Sequence, residues 1–461
     1  MKVIVAGCGK VGKTIIASMV KENHDVVAMD TNPKVVSAVN NEYDVMSLCG
    51  NATSYDDLKE AGAGGCDIFI AVTSSDELNM LACFAAKRMG AKYTVARIRE
   101  AEYNKKSLVF MKEQLEISLV LNPEKLTSEA LYNLLKLPSA CKVETFADRR
   151  LEMIELIVRK KTPLDGVRLS EIRKKQSYKF LVCEVQRGDE VFIPNGNFLI
   201  HSGDKVGIMC EREETHRTLK TLGFLQKECK EAIILGGGKI AYYLAQKLSE
   251  NHSAVKIIEK NEDKCVELCE NLPSQVTVVH GNGMSQDLLS EEGIDGTDAF
   301  IALTGKDEEN ILISFYAISR QVPKIVCKVN TEELSAIAEK LGMDSIITPK
   351  RLVADVLVRY ARALHNSMGS TVEKLYSIAG GQAEALEFIV TDKFEYSSVP
   401  LKNLKLKEDV LVAGIIRQGQ TLVPGGDDYI IPGDRVVVFA KGNRIGTLSD
   451  AITERRSAEN K

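Results

Sequence analysis

The chain opens on Val3-Ile4-Val5-Ala6-Gly7-Cys8-Gly9-Lys10-Val11-Gly12, an apolar run followed by the pattern Gly-x-Gly-x-x-Gly. The apolar run predicts a buried strand, and the amphipathic pattern after it predicts a helix over about residues 11–21. In this setting the first glycine permits a tight turn, the second lets the backbone approach a pyrophosphate, and the third allows close packing of helix on strand. The unpaired N–H groups at the helix N-terminus then favour an anionic ligand.

An acidic residue closes the next predicted strand. Asp30 follows Gly12 by 18 residues, where this motif places a carboxylate on the adenine ribose. A carboxylate accepts a hydrogen bond from a free 2′-hydroxyl and repels a 2′-phosphate. The sequence therefore favours NAD or an adenine nucleotide over NADP.

The chain is an internal duplication. The opening stretch returns 229 positions later as Ala232-Ile233-Ile234-Leu235-Gly236-Gly237-Gly238-Lys239-Ile240-Ala241, and further agreements follow at offsets of 230 and 231. The matched segments are Gly50-Asn51 with Gly281-Asn282, Asp67–Thr73 with Asp298–Thr304, Asn79 with Asn310, and Gly203-Asp204 with Gly433-Asp434. Each half is too long for one unit of a solenoid, so the pattern predicts two domains copied together.

Each half contains two kinds of pattern. Its first part alternates short apolar runs with amphipathic helices, which predicts a parallel sheet covered on both faces. Its second part has short β-type runs separated by Gly, Asn and Pro. The fold class is therefore α/β, with two Rossmann-like parallel-sheet domains each followed by a small α+β domain. The segments are the Rossmann-like domains 1–122 and 229–347, the crossover helices 123–140 and 348–368, and the α+β domains 141–226 and 369–452.

The helix between the two parts of each half starts with the same signal. Asn122-Pro123 and Thr348-Pro349 each place a capping residue before a proline at the first helical position. Apolar stripes at helical spacing follow in both copies. Two interpretations are open: each helix packs on its own domain, or it crosses over and exchanges between neighbouring lobes.

The glycine loop also matches a second motif. Gly7-x-x-x-x-Gly12-Lys13-Thr14 is a literal phosphate-binding loop of nucleotide hydrolases. The second copy has Ala241-Tyr242 in place of Gly12-Lys13, whereas Glu259 keeps the 18-residue spacing of Asp30. Because only the dinucleotide pattern repeats, we favour that interpretation.

Several further residues at predicted strand ends are binding candidates. In open α/β sheets ligands lie at the carboxyl ends of the strands, where Thr73 and Ser74 fall. A serine here could equally cap a helix, and Asn51 could equally form a turn. Arg97 could contact a phosphate or lie exposed at its strand end, and both interpretations also fit Lys328 in the second copy.

Composition excludes other function classes. A formal charge of -4 does not indicate nucleic acid or an anionic membrane as the main partner. Eleven cysteines without a Cys-x-x-Cys pair predict reduced thiols in the cytosol and no metal site. The sequence contains no His-Glu-x-x-His or Gly-x-Ser-x-Gly segment, so we expect no catalytic residue of these hydrolase classes.

The doubled glycine-loop module, the Asp67–Thr73 strand, the Ala96-Arg97-Ile98-Arg99 segment and the β-rich domain together resemble the RCK (or KTN) domains that regulate potassium transport. Two such units in one chain are similar to the cytosolic regulatory subunits of Trk potassium-uptake systems. The resemblance covers about 450 residues. The nucleotide-binding residues that it implies are Gly7, Cys8, Gly9, Lys10, Val11, Asp30, Asn51, Thr73, Ser74 and Arg97 in the first copy, and Gly236, Gly237, Gly238, Lys239, Ile240 and Glu259, with Lys328 as a further candidate, in the second.

The resemblance also implies a function. It implies a non-enzymatic regulator that binds NAD(H), with ATP or ADP in the same pockets, and that docks on a Trk-type membrane transporter at the cytosolic face of the plasma membrane. The RCK domains would form a ring, a tetramer of tandem chains, without nucleic acid as a partner. Two alternatives are open: an NAD-dependent dehydrogenase, for which no His or Tyr in a supporting motif is a candidate, and a regulator of a different potassium channel or exchanger.

Overall fold

The structure is a computed structural model that describes residues 1–99, 105–175, 179–366, 372–378, 382–442 and 445–455. Six parallel strands form the first sheet, in the order β3-β2-β1-β4-β5-β6 of dinucleotide-binding domains. The strands are β1 (Lys2–Ala6), β2 (Asp25–Asp30), β3 (Met46–Cys49), β4 (Ile68–Ala71), β5 (Tyr93–Arg97) and β6 (Leu119–Leu121). The helices are α1 (Lys10–Lys21), α2 (Pro33–Tyr43), α3 (Tyr55–Glu60), α4 (Asp76–Met89) and α5 (Lys105–Gln114).

A small antiparallel domain follows helix α6 (Pro123–Lys136), which ends four residues before the predicted limit at 140. The Asn122 side chain caps this helix by accepting from Lys125 N, as its sequence signal predicts. The sheet of this antiparallel domain has the strand order β10-β9-β11-β8-β7. The elements are β7 (Lys142–Phe146), β8 (Leu151–Ile157), α7 (Leu169–Lys175), β9 (Phe180–Arg187), β10 (Glu190–Phe192), β11 (Lys205–Glu211) and α8 (Thr215–Thr221).

The second half repeats the first. Its parallel sheet has the order β14-β13-β12-β15-β16-β17, and its antiparallel sheet the order β18-β19-β23-β21-β22. The first part comprises β12 (Glu231–Leu235), α9 (Lys239–Ser249), β13 (Ala254–Glu259), α10 (Glu262–Asn271), β14 (Val276–His280), α11 (Gln286–Glu291), β15 (Ala299–Ala302), α12 (Asp307–Ser319), β16 (Lys324–Lys328), α13 (Glu332–Lys340), β17 (Ile346–Ile347) and α14 (Pro349–Asn366). The second part comprises β18 (Val372–Ile378), β19 (Ala383–Ile389), β20 (Leu404–Leu406), β21 (Val410–Arg417), β22 (Gln420–Leu422), β23 (Arg435–Lys441) and β24 (Ile452–Arg455). The predicted fold class is confirmed. The boundary predicted at 368 and 369 lies outside the described residues.

The repeated Gly-Asp pairs have the same structural role in both antiparallel domains. Asp204 accepts two hydrogen bonds from Arg187, at 2.8 and 2.7 Å, and Asp434 accepts two from Arg417, at 2.9 and 2.8 Å. Both aspartates are buried. A buried carboxylate needs such a bidentate partner, which explains why both residues appear in the duplicated pattern.

The two halves exchange their crossover helices. Leu131 and Leu135 of α6 belong to the core of the second parallel sheet, with Ile234 and Leu244. The apolar side chains of α14 belong to the core of the first parallel sheet. Arg362 of α14 also forms an ion pair with Glu22, next to α1. The helices therefore pack on the other half of the same chain, which is the exchange interpretation. Among the described residues, no helix combines the length and apolarity needed to cross a membrane.

Candidate functional site

The glycine loop of the first half joins β1 to α1 at the carboxyl edge of the sheet. Gly7 has a φ of +100°, and a Cβ there would lie 2.8 Å from Thr73 N at the end of β4. A Cβ at Gly12 would lie 1.9 Å from the carbonyl oxygen of Gly7. Both positions therefore require glycine: the first for its backbone conformation and both for the close approach of neighbouring backbone.

Gly9 differs from the other two glycines. It is the N-cap of α1, its φ is -67°, and no described atom lies within 4 Å of the position that a Cβ would occupy. Its cap position carries no side-chain hydrogen bond within the described chain. The loop is thus open at Gly9, directly before the first turn of α1, and the unpaired N–H groups of a helix N-terminus bind phosphate in such a setting.

Asp30 holds the loop from the end of the neighbouring strand. Its carboxylate accepts from Cys8 N at 2.8 Å and from Asn32 N at 2.9 Å. Burial, with the nearby Asp30 charge, raises the pKa of the Cys8 thiol to about 12, so the thiol stays neutral. The site therefore presents the backbone of Cys8 and the carboxylate of Asp30, and no thiolate.

The second loop repeats this geometry with two compensating changes. The Glu259 carboxylate accepts from Gly237 N at 2.7 Å and from Asn261 N at 2.9 Å. A Cβ at Gly237 would lie 2.6 Å from Leu268 Cδ1 and 3.2 Å from the Cβ and Cγ of Glu259, so the glycine in place of the first loop's cysteine leaves room for both side chains. Burial opposes ionisation of Glu259, but the backbone N–H donors, led by Gly237 and Asn261, and the charge of Lys264 together hold its pKa below the ordinary value. Gly238, like Gly9, has no described atom within 4 Å of the position that a Cβ would occupy.

The other predicted candidates lie along the same edge of the first sheet. Thr73 follows β4, directly beside Gly7, and Ser74 is exposed. Ser75, and not Ser74, caps α4. Asn51 accepts from Thr53 N at 3.0 Å, so it forms the turn after β3. Its role as a turn residue is therefore visible, and its role as a nucleotide ligand remains a prediction.

A buried asparagine was missed as a site residue. Asn79 accepts from Thr73 N at 2.8 Å and from Thr73 Oγ1 at 2.7 Å, and its amide donates to Arg97 O at 2.9 Å. It therefore fixes the ends of β4 and β5 relative to each other. Asn310 makes the same contacts with Thr304 and Lys328 O in the second copy. The sequence signal was the repetition of this asparagine at an offset of 231.

We expect Asn79→Ala to lower the free energy of unfolding by about 2 to 4 kcal/mol, because it leaves buried polar groups at two strand ends without partners. The urea dependence of the far-ultraviolet circular dichroism measures this loss. The control is Asn40→Ala, an exposed asparagine on α2, which should change the free energy by less than about 0.5 kcal/mol. Equal stability of the two variants would contradict the role given to Asn79.

Two arginines lie at and just after the end of β5, at the same edge of the sheet as the glycine loop. Burial and the charge of Arg99 lower the pKa of Arg97 below its ordinary value. Arg97 Nε is buried and has no hydrogen-bond partner among the described residues. Arg99, which was not predicted, donates from Nη2 to Ser74 O at 2.8 Å. In the second copy Lys328 donates to Leu303 O at 3.1 Å. Arg97 Nε at the end of β5 is therefore unsatisfied within the described chain, whereas Lys328 Nζ already donates to a backbone carbonyl.

The hydrolase interpretation of the loop gains no support. Lys13 Nζ forms an ion pair with Glu42 at 3.0 Å, and Thr14 Oγ1 donates to Lys10 O within its own helix. The partners of both side chains therefore lie in α1 and α2, whereas the hydrolase motif uses these side chains for phosphate and magnesium. Both residues therefore serve helix α1 and its packing.

Comparison with known families identifies the family to which the chain belongs. The TrkA-N domain model matches residues 3–123 and 232–349, and the TrkA-C domain model matches residues 153–223 and 386–453. The chain belongs to the TrkA family. The resemblance drawn from the repeated glycine loops is thereby confirmed, and the TrkA-N and TrkA-C matches alternate in the order of the duplicated sheets.

Relatives of this TrkA-family chain match it along almost its whole length. The Trk system potassium uptake protein TrkA of Vibrio alginolyticus is 30% identical over 445 residues, which cover 95% of each chain. The Trk system potassium uptake protein TrkA homolog of Archaeoglobus fulgidus is 29% identical over 450 residues, which cover 98% of this chain and 99% of its own. The similarity therefore includes both halves.

Solved structures share the fold. The GsuK channel bound to NAD matches with a TM-score of 0.62 at 16% identity, covering 96% of this TrkA-family chain and 77% of the channel chain. GsuK bound to ADP matches with a TM-score of 0.51 at 14% identity, covering 79% and 69%. At these identities the similarity shows the fold alone.

Proposed function

We propose that this chain is a nucleotide-sensing regulatory subunit that docks on a Trk-type membrane transporter and gates potassium uptake from the cytosolic face of the plasma membrane. The observation that carries the proposal is the pair of open glycine loops, each with its acid at the end of the next strand, in a chain of the TrkA family. The names of the relatives, which are potassium uptake proteins, support the transport assignment.

The proposed ligand is NAD(H), with ATP or ADP in the same pockets. The carboxylates of Asp30 and Glu259 favour a ribose with a free 2′-hydroxyl and oppose NADP. The N–H groups beside Gly9 and Gly238 suit a pyrophosphate. The GsuK structures bound to NAD and to ADP support both ligands for the shared fold. Arg97 at the first site provides a guanidinium for a phosphate oxygen.

Ligand binding would reach the transporter through movement of the lobes. A ligand shifts a conformational equilibrium only by its different affinities for the two states. The crossover helices α6 and α14 join each half to the core of the other, so a change in angle at one loop is transmitted to both halves. We propose that the lobes rotate about these helices.

The proposed assembly is a ring, a tetramer of tandem chains. Large apolar side chains are exposed on equivalent helices of the two halves, α4 with α5 and α12 with α13. They are Leu81, Val109, Phe110, Leu312, Ile318 and Ile337, with Leu341 directly after α13. Leu81 and Leu312 occupy matching positions at the offset of 231. Matching apolar faces at the two ends of a pseudo-symmetric chain support association with further copies.

A calorimetric titration of the full-length chain with NADH tests the proposal. We expect two NADH sites per chain. Asp30→Ala should weaken the first site and Glu259→Ala the second, each by about 10- to 100-fold, because the ribose loses a charged acceptor. The other site of each variant should keep its affinity. The control is Asp25→Ala, which alters an exposed aspartate at the opposite end of the same strand β2. A circular dichroism spectrum of each variant excludes loss of the fold.

The same samples separate the alternatives. Oxidation of NADH with a 2-oxo acid or aldehyde would support a dehydrogenase. Release of phosphate from ATP by the original chain, if it is lost in Lys13→Ala, would restore the hydrolase interpretation. Potassium flux through a Trk-type transporter in vesicles that responds to NADH only when the chain is present would support the regulatory role. A flux without any response to the chain would contradict it.

A further inference from the structure

One side chain links the second glycine loop to the first site. Tyr243 lies in α9, the helix that starts at the second loop, and its hydroxyl donates to Arg99 O at 3.2 Å. The two residues are 144 positions apart in the chain. Tyr243 is buried, with 9% of its surface exposed. The contact therefore belongs to the interface between the halves and is held by packing.

Arg99 organises the mouth of the first site. Its N–H donates to Asp76 Oδ2 at 2.6 Å, and its Nη2 donates to Ser74 O at 2.8 Å. Asp76 is the first residue of α4, directly after the strand-end loop that holds Thr73 and Ser74. A displacement of the Arg99 backbone is therefore transmitted to the loop that flanks Gly7.

A crossover helix fixes the same tyrosine from its other side. Lys125 Nζ, in the first turn of α6, lies 5.2 Å from the centroid of the Tyr243 ring. Its backbone N–H donates to the cap residue Asn122, which follows β6 of the first sheet. The cation–π contact holds the ring where its hydroxyl meets Arg99, so these two partners of Tyr243 both belong to the first half.

The matching residues do not form the link in the opposite direction. The residue that matches Tyr243 in the first half, at an offset of 229, is Thr14, and its hydroxyl donates to Lys10 O of its own helix. The residue that matches Arg99 in the second half, at an offset of 231, is Asn330, which donates to Asp307 of the same half. Within the described part of the chain, the duplication therefore places this inter-site contact at the first site alone.

We propose that Tyr243 is a positioning residue that couples occupancy of the second glycine-loop site to nucleotide affinity at the first site. This inference rests on the proposed function, because it assumes that both loops bind nucleotide. A ligand on the N–H groups at the start of α9 acts on the helix one turn before Tyr243, and the tyrosine acts on Arg99. Coupling of binding free energies is reciprocal, so the first ligand alters the second affinity by the same factor.

The experiment measures the coupling factor with NADH in the full-length chain. Gly9→Val and Gly238→Val place a side chain in the open space of one loop and so report the other site alone. The coupling factor is the product of the two association constants of the intact chain divided by the product of the two single-site constants. Tyr243→Phe is then combined with each background, since it removes only the hydroxyl and keeps the ring beside Lys125.

We expect Tyr243→Phe to bring the coupling factor about 2- to 10-fold closer to one, the effect of one lost hydrogen bond. The single-site constant of the second site should not change, whereas a general disturbance of the fold around α9 would also weaken that site. The matched control is Tyr242→Phe, whose hydroxyl accepts from Gln246 of the same helix and which should keep the coupling factor of the original chain.

Three outcomes would overturn the inference. A coupling factor of one in the unsubstituted chain, or an unchanged factor in Tyr243→Phe, would refute it while two sites still bind NADH, and the proposed function would stand. Absence of NADH binding at both loops would refute the proposed function itself, and the inference would fall with it. The number of sites and the coupling factor are obtained from the same titrations, so the two failures are distinguishable.

Discussion

Gly9→Val is expected to weaken NADH binding at the first site by about 100-fold or more, close to 3 kcal/mol, while the chain stays folded. The φ of -67° suits any residue, and apart from the chain neighbours of Gly9 no described protein atom lies within 4 Å of the position that a Cβ would occupy. The new side chain instead occupies the space that a pyrophosphate needs above the N–H groups of α1. Calorimetry in the Gly238→Val background, which leaves the first site as the reporter, measures the loss.

The third glycine of the same loop provides the matched comparison. Gly12→Ala adds a single carbon 1.9 Å from the Gly7 carbonyl oxygen, so the helix must shift away from the strand. We expect this variant to lower the free energy of unfolding by about 2 to 3 kcal/mol. If Gly9→Val destabilised the chain as much as Gly12→Ala, or bound NADH normally, the assignment of the open position to the ligand would be wrong.

The features that the sequence predicted correctly are those with a local signal that the duplication repeats. The glycine loop, the acid 18 residues later and the Asn122-Pro123 cap each depend on neighbouring residues, so their patterns survive without the fold. The fold class followed from the alternation of apolar runs and helices. The bidentate partners of Asp204 and Asp434 could not be predicted, because their arginines lie 17 positions away.

The contacts between halves could not be predicted for the same reason. An apolar stripe shows that α6 packs on something, but the stripe is the same whether its partner is β6 or α9. In the sequence nothing distinguishes Tyr243 from other helix residues. Its contact with Arg99 depends on how the two parallel-sheet domains pack against each other. Arg99 itself belongs to the segment that carries the family resemblance, yet only the structure shows that its side chain donates to the Ser74 carbonyl oxygen.

The second large effect is expected at Glu184, a carboxylate inside the first antiparallel domain. Glu184 on β9 pairs with Gly207 on β11, and the same row continues to Glu155 on β8 and Lys142 on β7. A Cβ at Gly207 would lie 2.6 Å from Glu184 Cγ, so the glycine makes room for the acid. Glu184 is 3% exposed, and its Oε2 has no hydrogen-bond partner among the described residues.

This environment favours the neutral acid. Burial, followed by the charge of Glu155, raises the pKa of Glu184 from 4.5 to about 8; Lys142 acts in the opposite direction, and Glu144 adds to the rise. Because the folded pKa is the higher one, unfolding releases the proton. The stability gained from the neutral acid is therefore complete below about pH 4.5 and is lost as the pH rises towards 8.

We expect Glu184→Gln to remove this pH dependence. Between about pH 5.5 and pH 8 the free energy of unfolding of the original chain should fall by roughly 3 kcal/mol relative to that of the variant. The urea-induced unfolding transition of the part that includes β9 measures this difference. Glu190→Gln, at an exposed position of the edge strand β10, makes the same side-chain substitution and should keep the original dependence.

A second buried group titrates in a different range, so the two effects can be separated. Burial lowers the pKa of Lys324 from 10.5 to about 8, and its ammonium donates to Ala140 O at 2.6 Å. Because the pKa of this lysine is lower in the folded state, the folded chain loses the proton at a lower pH than the unfolded chain. The contribution of Lys324 to the free energy of unfolding therefore changes only above about pH 8, where it rises with pH. A loss of stability below pH 8 that persisted in Glu184→Gln would show that another acid carries the proton, such as the half-buried Asp355, whose pKa is also raised by desolvation.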